Sequence, residues 1–286
     1  MSLAFSGQKF QDWFTQQWAI VWGRRIEPDD VPWLMGPFGD LGTIADDFFV
    51  KLAEKEGLTI QRNITSQGLI PSIEKLNLSD TDLAGLSQKV INFYEKTGAY
   101  NLNFSVNWNP FFRIFGMLVN ILFSHRIDQL NIPTNHTKDA NTIHSEIITL
   151  TDTRTKEVKY TIWFRTDKTS GRVIYSGVYS TCTLPSGETC VKAVFPLPKG
   201  NATVIMSPKV ENNGGLTLDS SGKRFGDAGF YFLVNDSKGR FWSQYVGSFR
   251  DRLNIYPSEE RILAEQTLTL WHCRVLTFKY LIELKK

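Results

Sequence analysis

Near residue 99 the hydrophobic period of this chain changes from that of a helix to that of a strand. In Tyr100-Asn-Leu-Asn-Phe-Ser-Val-Asn-Trp108 the even positions are Tyr, Leu, Phe, Val and Trp, and the odd ones are Asn or Ser. Such alternation belongs to a strand with one buried and one wet face. From Ile143 onward the strand pattern persists. Strands are expected near 143–151, 158–166, 172–183, 188–195, 202–210, 228–235, 240–250 and 262–284. Turn signals separate them, at Lys168-Thr-Ser-Gly171, Pro185-Ser-Gly187, Lys199-Gly-Asn201, Asn212-Asn-Gly-Gly215 and Asn235-Asp-Ser-Lys-Gly239. Short connections of this kind join antiparallel neighbours, so the expected object is a meander that curls into a barrel or half-barrel.

The first 98 residues read mainly as helices. From Lys9 to Trp22 the residues Phe10, Trp13, Phe14, Trp18, Val21 and Trp22 recur at spacings of three and four, and Gly23 stops the run. Thr43 to Glu56 repeats the pattern with Ile44, Phe48 and Leu52. Ser79, followed by Asp82, has the form of an N-cap for a third helix carrying Leu83, Leu86, Val90 and Phe93 and closed by Gly98. Glu27 to Gly42 reads as an ordered loop, because Val31, Trp33, Leu34, Met35 and Phe38 give it something to bury. The expected class is α+β: a helical segment, 1–98, packed on a long curled antiparallel sheet built from 99–286, the two forming one compact unit. An embedded apolar helix is expected from Phe111 to Phe123.

Composition excludes several classes. At 42% hydrophobic and 21% charged residues the chain is a folded one, not disordered or collagen-like. The net charge of +3 is small, although residues 1–98 carry −4 and 99–286 carry +7. The basic residues are scattered singly through strands, not gathered on a face, which argues against a nucleic-acid partner. The N-terminus lacks a charged region followed by an apolar core, so no secretory signal is expected. The run Phe111–Phe123 is too short to span a bilayer as a helix, and it contains Arg113 and Asn120. Shallow insertion of this run at a membrane surface has thin support, from Arg113, His125 and Arg126 alone. A cytoplasmic location without a transmembrane segment is the expectation.

Catalytic signatures are missing: there is no GxGxxG, phosphate-binding GxxxxGK[ST], GxSxG, HExxH or calcium-loop pattern. His125, His136, His144 and His272 share no metal-ligand spacing, and no cofactor is implied. Three cysteines, Cys182, Cys190 and Cys273, do not make a disulfide framework. A hairpin with the three-residue loop Pro185-Ser186-Gly187 would set Cys182 opposite Cys190. Two adjacent but reduced thiols are expected there.

Two features carry a candidate site. In the stretch 262–284, Leu268, Leu270, Leu276, Phe278, Tyr280 and Ile282 share one parity, and His272 and Arg274 fall within it. If the register holds, both point into an apolar interior. A buried guanidinium needs an anion, either an internal acid (Asp227, Asp251 or Glu146) or a ligand. A bulge turning both residues outward is the alternative. The second feature is aromatic: Phe230 and Phe232 share one face of a strand, and Phe241, Tyr245 and Phe249 one face of the next. Gly247 and Ser243 leave room among them. Together these suggest a β-lined cavity for a small amphiphilic ligand, with Arg274 and His272 meeting its anionic group. An enzyme using His272 with an internal carboxylate, or a structural partner-binding module, are the alternatives.

Overall fold

The computed structural model describes residues 3–5, 10–40, 47–112, 143–168 and 171–285. Its helices are α1 (Phe10–Trp22), α2 (Asp47–Glu56), α3 (Asp80–Gly85) and α4 (Gln88–Glu95). The first strands are β1 (Arg24–Ile26), β2 (Leu58–Gln61) and β3 (Tyr100–Trp108). A meander follows: β4 (Ile143–Asp152), β5 (Val158–Asp167), β6 (Val173–Thr183), β7 (Thr189–Leu197) and β8 (Gly200–Val210). The last six are β9 (Leu216–Asp219), β10 (Gly229–Asn235), β11 (Phe241–Tyr245), β12 (Phe249–Pro257), β13 (Ile262–Leu270) and β14 (Cys273–Leu284).

The fourteen strands among the described residues form one antiparallel sheet, in the main order β2-β4-β5-β6-β7-β8-β9-β12-β13-β14-β3. The sheet forks at the long strand β8. Residues Gly200–Ile205 pair with β10, and Ser207–Val210 pair with β9. The β10 branch continues through β11 to β1. At the far end β3 returns alongside β4 without pairing with it, so the sheet curls but does not close. The expected α+β architecture is present in its open form. The segment 1–98 is not wholly helical, because β1 and β2 add edge strands to the sheet. No helix among the described residues is long and apolar enough to cross a membrane.

Local sequence explains most boundaries. The even residues of β3 are buried and the odd ones partly or fully exposed, as the alternation requires. The helix expected from Ser79 to Gly98 is split in two. Ser79 caps α3 by accepting from Asp82 N at 3.1 Å. Gly85 then ends it, Leu86 is extended, and Ser87 starts α4 by accepting from Lys89 N at 3.3 Å. Ser87 N also donates to Gly214 O at 2.9 Å, which ties the break to the β8–β9 turn. The strand expected at 240–250 is interrupted at Val246-Gly247-Ser248, where Phe249 N donates back to Val246 O. β11 therefore joins the β10 branch while β12 joins the main path. The expected helix Phe111–Phe123 lies, beyond Phe112, outside the described residues.

The outer face of the sheet is covered in patches. Phe48, Phe49, Leu52 and Ala53 of α2 pack on Ile148, Ile162, Phe164 and Val178. The loop carrying Val31, Trp33 and Leu34 covers Ile205, Tyr231 and Leu233. α1 packs instead on the opposite face of β10, where its Trp18 meets Phe232 edge-on at 6.1 Å.

Cys182 and Cys190 are direct cross-strand partners. Leu184 N donates to Glu188 O and Gly187 sits at φ 88°, which gives the three-residue loop. Both thiols are buried and Cys273 is exposed. Burial pushes the Cys182 thiol up to about 11 and raises Cys190 as well. The thiolate is the reactive species, so a limiting dose of maleimide on the native protein is expected to label Cys273 first. Peptide mass spectrometry reads the order; early labelling at Cys182 or Cys190 would contradict the buried pair.

Candidate functional site

The concave face of the curled sheet lines a cavity of about 350 Å3. One parity from each strand supplies its wall: Trp163 and Arg165 from β5, Tyr175 and Tyr179 from β6, Ala193 and Phe195 from β7, Ala202 and Val204 from β8. Small residues make the space. Gly177 lies between Tyr175 and Tyr179, and a Cβ there would reach Phe195 Cε1 at 2.8 Å. Ala193, Ala202 and Ala264 also stop short on the same face. On the other side the wall is Asp251 and Leu253 of β12, Gln266 and Leu268 of β13, and Tyr280 of β14. At the Tyr100 end of β3, Phe93 of α4 stacks edge-on against Tyr100 at 5.5 Å. At the opposite end, Trp108, Leu268 and Phe249 carry the wall up to the β13–β14 hairpin.

The cavity is apolar except for one belt. Arg165 is only 6% exposed. Its guanidinium lies 4.1 Å from the Trp163 ring centroid and 4.5 Å from that of Tyr175. The hydroxyls of Tyr179 and Tyr280 lie within the reach of its charge, and its Nε has no hydrogen-bond partner. Among the described residues no carboxylate lies within ion-pair distance of it. The Tyr280 hydroxyl donates to Gln266 Oε1 at 3.1 Å. Gln266 Nε2 in turn donates to the two oxygens of Asp251, at 2.9 and 2.7 Å. Asp251 is buried, and desolvation raises its carboxyl to about 7, with Asp219 adding and the Gln266 bonds opposing. Burial likewise holds the Tyr175, Tyr179 and Tyr280 hydroxyls in their neutral form. The belt thus sets a buried cation among neutral hydroxyls, with an acid whose charge is disfavoured by burial two hydrogen bonds beyond the Tyr280 hydroxyl.

The aromatic cluster is partly where the alternation put it. Phe230, Phe232 and Phe249 all line the cavity, with Phe230 5.1 Å from Phe232 and 4.8 Å from Phe249 between ring centroids. Phe241 and Tyr245 do not share that face. Tyr245 pairs with Tyr231, so it belongs to the outer parity, packs on Tyr231 at 5.1 Å and donates to Gly222 O. Phe241 packs on Phe38 of the covering loop. The break at Val246–Ser248 is the reason, because parity cannot be counted through it to Phe249.

His272 and Arg274 are corrected more sharply. Leu270 pairs with Cys273, so Trp271-His272 is a two-residue hairpin turn and both are exposed. The register then shifts: Leu268 faces Leu276 but Thr269 faces Arg274, which leaves Val275 as an extra residue. That bulge moves Arg274 off the Leu276 parity and into solvent. Neither residue makes an ion pair among the described residues, so the internal carboxylate that His272 would need as a catalytic partner is not beside it. Of the acids considered for Arg274, Asp251 lies in the cavity wall. Glu146 is buried against Arg62, whose Nε donates to Oε1 at 2.7 Å. Asp227 accepts from Lys223 N and Arg224 N. The residues missed were Arg165, Gln266 and Tyr280. The signal for Arg165 was of the same kind: a lone arginine on the parity of Trp163 within an apolar strand.

No family model matches the chain, and no solved structure matches it significantly. Among curated proteins, the uncharacterized membrane protein YndJ of Bacillus subtilis strain 168 is 28% identical over 173 residues, covering 60% of this chain. The matched part is 31% of that protein, so the chain spans about a third of the relative.

Proposed function

We propose that this protein binds a small amphiphilic ligand in the curled-sheet cavity, with Arg165 rather than Arg274 meeting its anionic group. The carrying observation is Arg165: a cation 6% exposed, in an apolar chamber, with an unsatisfied Nε and no acid in contact. An uncompensated buried charge is costly, and a carboxylate or similar head group would supply both the counter-charge and the missing acceptor. Phe230, Phe232 and Phe249 give the apolar portion of the ligand an aromatic wall. The cavity volume lies at the small end of the range for ligand sites. A location at or near a membrane, suggested by the name of the relative, is compatible with this cargo but belongs to that longer protein first.

Arg165→Met tests the reading, because it keeps much of the volume and removes the charge. The fluorescent probe cis-parinaric acid is expected to bind the wild type and to lose more than tenfold in affinity on the variant. A urea melt without ligand is expected to show the variant as stable as the wild type or more so. Equal affinity of both proteins for the probe, or binding by neither, would overturn the assignment.

A further inference from the structure

The β13–β14 hairpin has a tip that the cavity does not explain. A two-residue turn with positive φ at both positions normally carries Asn-Gly, because bulky residues are strained there. Here the positions hold Trp271 at φ 48° and His272 at φ 65°. The turn presents the indole to solvent: Trp271 is 69% exposed. A second exposed aromatic is tied to the same hairpin. Asn109 N donates to Val275 O and Asn109 Nδ2 to Arg274 O, both at 2.9 Å, while Asn109 Oδ1 accepts from Phe111 N. This fixes Phe111, 81% exposed, next to the base of the hairpin. Behind the aromatics lies a row of cations. Arg250 and Arg274 flank Thr269 on neighbouring strands, and neither has a carboxylate within ion-pair distance among the described residues.

We infer that this tip is a docking surface for an anionic phospholipid bilayer, with Trp271 and Phe111 entering the headgroup layer and Arg250 and Arg274 meeting lipid phosphates. Tryptophan favours that layer because it has an apolar body and one polar N–H. Arginines at a membrane surface are drawn to anionic lipid over a Debye length. The charge pattern selects a lipid surface over a second copy of this chain, because a two-fold contact through this tip would set the arginines of two copies against each other. Location agrees with this occupant. Leu268 and Trp108, which line the cavity, belong to the strands that bear the tip, so docking would bring the cavity's hairpin end to the lipid.

Vesicle flotation of the full chain tests the surface independently of cavity binding, because every residue changed lies outside the cavity wall. The wild type is expected to float with phosphatidylglycerol–phosphatidylcholine vesicles and to remain behind with phosphatidylcholine alone. Each of Arg250→Gln and Arg274→Gln is expected to lower partitioning about fivefold. The double change Trp271→Asn with His272→Gly suits both turn positions. It is expected to abolish flotation while leaving the unfolding temperature equal or higher, which separates lost docking from lost folding. Overturning results are a wild type that does not float, one that floats equally on neutral vesicles, or an Asn-Gly turn variant that floats as well as the wild type. A chain that sediments as a dimer and fails to float would assign the tip to a second copy instead.

Discussion

Replacing Phe104 by Ser is expected to cost roughly 3–5 kcal/mol of folding stability, by analogy with Phe→Ala in a packed core. Phe104 is 3% exposed in the middle of β3. Its ring sits 5.9 Å from that of Phe278 and 6.0 Å from that of Tyr280, both on the neighbouring strand β14. Removing it opens a void among aromatics that relax poorly, and it places a hydroxyl in an apolar core. The adjacent Asn103 has the opposite parity and is only partly buried, so Asn103→Ser is expected to cost under about 1 kcal/mol. Urea melts of the two variants make the comparison. Equal losses would contradict the alternation on which the cavity wall depends.

The second large effect is a pH dependence. The carboxyl of Asp251 titrates in the folded protein at about 7, against 3.8 for the ordinary group, because burial disfavours its charge. The folded state therefore holds this proton more tightly than the unfolded chain does. Its contribution to stability is greatest below about pH 4 and is lost as pH rises to about 7, a swing on the order of 4 kcal/mol. Asp251→Asn cannot ionise, so its stability lacks this decline. Between pH 5 and pH 8 the wild type is expected to lose about 3 kcal/mol relative to the variant in urea melts. Parallel profiles would mean that the carboxylate is ionised and compensated throughout.

The strand pattern was legible wherever hydrophobic alternation ran unbroken. β3 carries its burial in plain view, and the meander from β4 to β8 lies within two residues of the spans read from turn signals. The three-residue loop at Pro185-Ser186-Gly187 was also readable, because Gly187 supplies the positive φ such a loop needs. Legibility failed where parity was carried across an interruption. Trp271-His272 lacks the usual turn residues, so the hairpin read as continuous strand, and Val275 then shifted the count by one. Val246–Ser248 did the same to Phe249, although there the error left Phe249 on the cavity side. The cavity itself comes from the curl, which brings Arg165 of β5 to Tyr280 of β14 across the concave face. No local pattern encodes that meeting. Short edge strands such as β1 and β2 were missed because three or four residues give alternation too little length.

The place of β3 in the sheet has a consequence for how the chain reaches this state. Among the described strands β3 is the first long one along the chain, yet its one partner among them is β14, with Tyr100 opposite Leu284. The neighbour it needs is the last of the described strands along the chain. Until that strand is made, Leu102, Phe104, Val106 and Trp108 lie along an unpaired edge, which is a template for joining other chains. Meanwhile β4 to β8 can pair in order as they emerge, so the meander forms first and the curl last. A nascent or truncated chain lacking β14 is thus the aggregation-prone species, and its lifetime, set by elongation from β4 onward, governs how much chaperone protection this fold requires.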